Sequence, residues 1–153
     1  MATNNNQRIG SVSNSHVGRD FETVAIAALA DGGIEVVTNF AVPVGIGGRK
    51  KEHKFDLGAE NPPVLVECKS HTWTEGGRPP SAKMTVWNEA MYYFLLAPGH
   101  YRKILFILHN LHPATGESLS AYYIRRYSHL IPSGVELWEY NEGTKEVMIV
   151  FTN

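Results

Sequence analysis

The feature that most constrains this chain is the run 64–69, in which two ionisable side chains interrupt an otherwise apolar segment. Its β-branched and apolar residues, bounded by a pair of prolines and by polar residues, predict a buried strand. Side chains alternate between the faces of a strand, so Leu65, Glu67 and Lys69 point to one face and the remaining residues to the other. An acid and a base at the end of a buried strand are costly unless they pair or bind an ion. The run therefore predicts an ion pair or a metal site there.

A second carboxylate is predicted to lie next to this strand. Asp56 ends the preceding extended stretch, and the loop-like segment 58–63 lets the chain turn back, which brings Asp56 beside Glu67. Two converging carboxylates make the oxygen-rich pocket that holds Mg²⁺ together with water and phosphate oxygens. Lys69, at the edge of that pocket, can orient an attacking water or stabilise the charge that develops on a phosphate. This arrangement predicts metal-dependent hydrolysis of phosphodiester bonds.

The pattern of an acid, a spacer and then acid-x-Lys resembles the PD-(D/E)xK, or restriction-endonuclease-like, nuclease superfamily. It consists here of Asp56 followed by Glu67-Cys68-Lys69, and Phe55 stands where the family often has proline. The predicted order of helix, strand, strand, strand, helix and strand also matches, over about residues 18–109. The resemblance implies an α/β restriction-endonuclease-like core with a mixed central β-sheet flanked by helices. It also implies a DNA endonuclease of restriction, homing or junction-resolvase type that uses Mg²⁺, with Mn²⁺ able to substitute.

The resemblance assigns roles to individual residues. Asp56 and Glu67 are the expected metal ligands, and Lys69 is the expected catalytic lysine. In this family an acidic residue of the first helix often reaches the metal, which makes Glu22 a further catalytic candidate, although a glutamate at this spacing also fits a solvated helix face. Lys83, in the first turn of the second predicted helix, is the corresponding candidate from that helix, and solvent exposure is its plainer explanation.

Basic and polar side chains near this site are candidates for contact with nucleic acid. A glycine turn leads into a predicted loop, 49–54, whose cations can track phosphate groups, although a solvated hairpin tip also fits. A second predicted loop, 70–80, is expected to lie over the metal, where Trp73 can stack on a base or simply pack on its own loop. The predicted nucleic-acid-binding residues are Arg49, Lys50, Lys51, Lys54, His71, Arg78 and Lys83.

The remaining patterns complete an α/β plan in one domain. The chain has 153 residues, 43% of them hydrophobic, which is enough for a sizeable core. We expect a flexible N-terminal arm over residues 1–14, rich in Asn and Ser, and a single domain over residues 15–153. The predicted helices are 15–30, 81–95 (with Ser81 as N-cap) and 117–130, and the main predicted strands are 34–44, 64–69, 103–109, 135–140 and 145–151.

Charge and cysteine content limit the function further. A formal net charge of −1 argues against a protein that coats nucleic acid indiscriminately, but it permits a local basic patch. One cysteine excludes a disulfide framework. Without a recognisable signal peptide or membrane span, the expected location is cytoplasmic, with no membrane partner. Because cutting both strands of DNA normally needs two sites, a homodimer or higher homo-oligomer is expected.

Two alternatives remain open at this point. The first is a non-catalytic nucleic-acid-binding or protein-interaction module with the same fold, in which Asp56, Glu67 and Lys69 form a salt-bridged cluster. Stabilisation by Mg²⁺ or Mn²⁺ distinguishes a metal site from such a cluster. The second is a metal-independent enzyme that uses a histidine, which is less favoured because the seven histidines show no accompanying triad pattern.

Overall fold

The computed structural model describes residues 14–153, with side chains from Gly18 onward. Residues 1–13 of the predicted arm lie outside the described residues, and Asn14 already belongs to the first helix. The described elements, in chain order, are α1 (Asn14–Asp31), β1 (Val37–Ile46), β2 (Arg49–Glu60), β3 (Pro63–Lys69), α2 (Ser81–Leu96), β4 (Arg102–Leu108), α3 (Leu119–Tyr127) with a following 3₁₀ turn (Ser128–Leu130), β5 (Val135–Asn141) and β6 (Glu146–Phe151).

The strands form one six-stranded mixed sheet in the order β1-β2-β3-β4-β5-β6. Strands β3, β4 and β5 run parallel, with α2 and α3 as their connections, and the remaining pairs are antiparallel. This confirms the predicted α/β class with a mixed sheet flanked by helices. No helix within residues 14–153 is long and apolar enough to cross a membrane.

Each face of the sheet carries its own apolar core. Helix α1 packs Phe21, Ala25 and Leu29, which recur every four residues, against strand residues that include Val66 and Phe106. Helices α2 and α3 cover the other face. Their core includes Met84, Trp87, Met91, Phe94 and Tyr123 on the helices and Leu65, Leu105 and Ile107 on the strands. Burial on both faces explains the unbroken apolar run of β4, as predicted.

The predicted loop 58–63 is mostly strand. Strand β2 continues to Glu60, and the reversal into β3 takes only the next two residues. Gly58 is needed for close packing instead of for a turn, because a Cβ atom added there would lie 2.5 Å from Cδ1 of Phe40. The glycine signal was therefore misinterpreted, and Asp56 lies within the strand instead of at its end.

The predicted basic loop 49–54 is also strand, and that prediction was wrong. These residues begin β2 and pair with β1 up to the Ile46–Arg49 pair, so the turn consists of Gly47 and Gly48, the former with φ 59°. Pro43 lies inside β1 instead of ending it, which is tolerated because β1 is an edge strand.

Two helix starts also differ from the predictions. Helix α2 begins at Ser81, but its N-cap residue is Pro80 and no side chain caps it. Helix α3 starts at Leu119, where the hydroxyl of Ser118 accepts a hydrogen bond from the backbone N–H of Ala121 at 3.1 Å.

Candidate functional site

Strands β2 and β3 separate just before the predicted site. Their last paired residues are Leu57 and Val66. Beyond this pair, the backbone N–H of Cys68 donates to Oδ2 of Asp56 at 2.8 Å, so a side-chain carboxylate replaces the carbonyl of a neighbouring strand. This bond satisfies the Cys68 amide and fixes the orientation of Asp56.

The pleat of β2 is interrupted at Asp56. Phe55 belongs to the core under α2 and α3, whereas Leu57, two residues later, belongs to the core under α1. Regular alternation would put both on one face. On β1, the residue between the partners of Phe55 and Leu57 is Asn39, which has a left-handed backbone with φ 52°. The irregularity therefore affects both strands and accompanies the separation of β2 from β3.

Glu67 and Lys69 share a face of β3, as predicted. Lys69 Nζ donates to Oε2 of Glu67 at 3.2 Å, and both side chains are almost fully buried. Burial raises the pKa of Glu67 to about 7; the charge of Lys69 opposes this rise, and the adjacent Asp56 carboxylate adds to it. The predicted proximity of Asp56 and Glu67 is thus present, and the Asp56 carboxylate disfavours ionisation of Glu67.

A cavity of about 760 Å³ opens at the end of β3, between α1, α2 and the segment 70–80. Five of the predicted site residues line it, namely Glu22, Asp56, Lys69, His71 and Lys83. Burial, followed by the charge of Asp56, raises the pKa of Glu22. Glu67 is 8% exposed and is not a lining residue, so it contributes to the site from within the protein.

The carboxylates meet the minimum for a Mg²⁺ site. Among the side chains that the structure describes, residues 18–153, no group of three or more His, Cys, Asp or Glu is arranged to hold a metal ion. Magnesium, however, is usually held by one or two carboxylates, with water and substrate phosphate completing the shell. A cation between Asp56 and Glu67 would also relieve the repulsion that raises the pKa of Glu67. The residues therefore fit a Mg²⁺ ion that keeps several water or substrate ligands.

His71 enters the cavity wall as a neutral ring. The indole N–H of Trp87 donates to His71 Nδ1 at 2.8 Å, which leaves the imidazole proton on Nε2. Burial lowers the pKa of His71 to about 4, with further contributions from the positive charges of Lys69 and Lys83. At neutral pH the ring is therefore an uncharged donor in a defined tautomer.

The other predicted nucleic-acid contacts lie away from the cavity. Arg49, Lys50, Lys51 and Lys54 are exposed along β2, and none of them lines the cavity. Lys50 donates to the carbonyl of Gly45 at 2.9 Å. Arg78 is exposed in the segment 70–80 but is not a lining residue either.

Trp73 does not offer the predicted stacking surface. Its backbone N–H donates to Oδ1 of Asn110 at 2.9 Å, and its indole N–H donates to the carbonyl of Glu117 at 3.1 Å. His112 and Tyr122 pack edge-on against its ring. Through these contacts, Trp73 holds the segment 70–80 against the connection between β4 and α3.

His53 is a neighbour of the site that the sequence analysis missed. Its ring stacks on Tyr93 with centroids 3.6 Å apart, and its Nε2 lies 3.8 Å from Oε1 of Glu67. Burial lowers the pKa of His53. Alternation along β2 from the buried Phe55 back to His53 was the signal that could have placed this ring on the face of Glu67.

A buried Ser-Glu-His cluster elsewhere does not form a catalytic triad. Glu139 accepts from the hydroxyl of Ser120 on one oxygen, and its other oxygen lies 2.6 Å from Nδ1 of His109. The acid lies between the serine and the histidine, so His109 is not in position to take the serine proton.

Comparison with known proteins finds a solved structure with a similar fold. No family model matches the chain, and no curated protein does. The chain is similar to a chain of the CdiA-CT/CdiI toxin and immunity complex from Burkholderia pseudomallei, with a TM-score of 0.51 and 15% identity over 98% of this chain and 96% of that chain. At this identity the likeness concerns the fold.

Proposed function

We propose that this chain is a divalent-metal-dependent endonuclease with a restriction-endonuclease-like core, and that it hydrolyses phosphodiester bonds in DNA. The observation that carries the proposal is the convergence of Asp56, Glu67 and Lys69 where β2 and β3 separate, at the wall of an open cavity. Glu67 is costly to ionise because it is buried beside the Asp56 carboxylate, and one lysine accompanies the two acids. Such a site is suited to a cation.

Each residue has a distinct role in this proposal. Asp56 and Glu67 would hold Mg²⁺, or Mn²⁺ in its place. The ion supplies Lewis-acid chemistry, drawing charge from a phosphate oxygen and making water more acidic. Lys69, whose Nζ is paired with Glu67, would donate to a phosphate oxygen as negative charge develops on it. Glu22, which lines the same cavity as Asp56, would orient the attacking water.

Contacts to the nucleic acid come from both sides of the cavity. Lys83 and His71 line it on the side of α2, and Arg78 lies on the segment 70–80. The cations of residues 49–54 extend along the β1–β2 hairpin, on the same strand as Asp56. We propose that this hairpin contacts the phosphate backbone beyond the cleaved bond, where cations position a duplex without reading its sequence.

A cleavage assay tests the proposed function. Supercoiled and branched DNA are incubated with Mg²⁺, with Mn²⁺ or with EDTA, using the wild type, Glu67→Gln, Lys69→Met and, as a surface control, Arg126→Gln. We expect metal-dependent nicking that each of the two site substitutions lowers by about 100-fold or more, with the control unchanged. Cleavage that persists in EDTA, or that survives both site substitutions, would refute the assignment.

The buried Glu67–Lys69 ion pair also favours a second candidate function, a non-catalytic interaction module. The structural neighbour belongs to a toxin and immunity complex, so a protein partner is a reasonable ligand for such a module. Thermal unfolding with and without Mn²⁺ separates the two candidates. A metal site gains stability by mass action, whereas a satisfied ion pair does not.

A further inference from the structure

The lining of the cavity carries two kinds of polar group. Glu22 and Asp56 supply carboxylates from α1 and β2, where the proposed cation binds. Lys69, which also donates to Glu67, and Lys83 supply ammonium groups, and His71 supplies an imidazole. The charges of Lys69 and Lys83 both act on His71, so the three groups lie near one another. This group of three is suited to an anion.

The ring of His71 is oriented before any ligand binds. Trp87 is completely buried and its indole N–H occupies His71 Nδ1, so the remaining ring donor is Nε2–H. No buried side-chain nitrogen or oxygen in the described part of the chain lacks a hydrogen-bond partner. Because the contacts of His71 to other side chains are made through Nδ1, Nε2 is left to the cavity that the ring lines.

We propose that His71 is a substrate-binding residue whose Nε2–H donates to a phosphate oxygen of a single nucleotide held in the cavity, with Trp87 as the positioning residue that fixes the ring. This inference rests on the proposed function, since it names how the same site holds its substrate. It assigns to His71 a neutral role, neither general base nor metal ligand.

The size and lining of the cavity identify the ligand as a nucleotide. A volume of about 760 Å³ lies in the range that encloses a small organic ligand, and it far exceeds the need of a bare phosphate. Apolar side chains also line it, including the partly exposed Val86 and Leu108. These surfaces suit a sugar and base next to the phosphate. A nucleotide that enters such a cavity is unpaired, as in enzymes that act on an extruded or single-stranded nucleotide.

Binding of thymidine 5′-monophosphate in EDTA tests the inference without cleavage. Thymidine, which lacks the phosphate, is the matched control ligand, and long-range ¹H–¹⁵N spectra follow the His71 ring. We expect the Nε2–H tautomer in the free protein and a saturable shift of the Nε2 signal with the nucleotide only. A signal that does not move at saturating nucleotide would overturn the proposal.

Three variants separate binding from positioning. His71→Ala is expected to weaken nucleotide binding about tenfold, the usual effect of losing one hydrogen bond to a charged group. His71→Gln is expected to restore part of it, since its amide N–H reaches the position of Nε2–H. Trp87→Phe keeps an aromatic ring but frees Nδ1, so the Nε2–H tautomer is no longer enforced and the nucleotide should bind less tightly. Equal affinity in the wild type and His71→Ala would overturn the proposal, even if Trp87→Phe fails to fold.

Failure of this inference is distinguishable from failure of the proposed function. If the wild type cleaves DNA with Mg²⁺ and His71→Ala cleaves with unchanged KM, the role of His71 is refuted and the nuclease proposal stands. If the wild type neither binds Mn²⁺ nor cleaves, the nuclease proposal fails, while the nucleotide titration still decides whether His71 binds phosphate.

Discussion

The carboxylate of Asp56 takes the place of a strand carbonyl for the backbone N–H of Cys68, at 2.8 Å. The same side chain is a proposed metal ligand, so it would combine a structural role with the proposed catalytic one. Two substitutions separate these roles, because an asparagine retains an acceptor oxygen but loses the negative charge.

We expect Asp56→Asn to keep the thermal stability of the wild type and to lose Mn²⁺ binding and cleavage. Asp56→Ala should lose both functions and also about 1–3 kcal/mol of stability, because it leaves the Cys68 amide without its acceptor. Urea unfolding and Mn²⁺ titration measure the two effects. Equal stability of the two variants would show that the Asp56–Cys68 bond contributes little.

The pKa of Glu67, raised to about 7, predicts how metal binding depends on pH. Below that value Glu67 keeps its proton, which must leave before the carboxylate can bind a cation. The apparent Mn²⁺ affinity should therefore rise about tenfold per pH unit below pH 7 and level off above it. Isothermal titration between pH 5.5 and 8 measures this. A flat profile would mean that Glu67 is not a ligand.

The pKa of His71, lowered to about 4, predicts that stability depends on pH in the opposite direction to that expected from Glu67, a buried acid with a raised pKa. Between pH 4 and 6.5 the unfolded chain protonates this histidine and the folded chain does not, so the contribution of His71 to stability falls as the pH falls through that window. We expect this loss in the free energy of unfolding to be about 1 kcal/mol, allowing for partial exposure of the ring.

Because Glu67 titrates in an overlapping range, the effect of His71 must be read as a difference between variants. Subtracting the pH profile of His71→Gln from that of the wild type isolates it. A difference that does not change between pH 4 and 6.5 would contradict the neutral state assigned to the ring.

Gly58 provides a test of the packing around β2. A Cβ atom at this position would meet the Phe40 ring at 2.5 Å, so Gly58→Ala should cost about 1–3 kcal/mol. In a Phe40→Ala background the same change should cost much less, because the clashing ring is gone. Chemical denaturation of the four proteins in this cycle gives the coupling energy. Additive effects would mean that the strand moves to accommodate the methyl group.

Strand β6 is the place to test the expected homo-oligomer. It lies at one edge of the sheet, and Met148 and Ile149 are 67% and 48% exposed. An apolar edge strand can pair with a second copy of the chain. If it does, Ile149→Lys should convert a dimer to a monomer in light scattering, with stability changed by no more than about 0.5 kcal/mol. A wild type that is already monomeric at high concentration would contradict the expectation.

Sequence reasoning succeeded where one local pattern decides the outcome. Strands β3 and β4 were predicted from their apolar runs, and the shared face of Glu67 and Lys69 follows from the alternation of side chains along β3. Sequence reasoning failed where a residue far away in the sequence determines the local structure. Gly58 looked like part of a turn because Phe40, eighteen positions earlier, was not known to cover it. The contacts of Trp73 with Asn110 and Glu117 likewise had no trace in the surrounding sequence.

Helix α1 covers one face of the sheet and also contributes Glu22 to the cavity. Folding and the proposed activity therefore depend on the same segment, which is joined to the sheet by the short stretch 32–36. A chain divided within that stretch would leave Val66 and Phe106 facing water and the cavity without one wall. Supplying the helix as a separate peptide should restore both together, so this junction is a natural place to divide the chain into two parts whose reassembly can be followed.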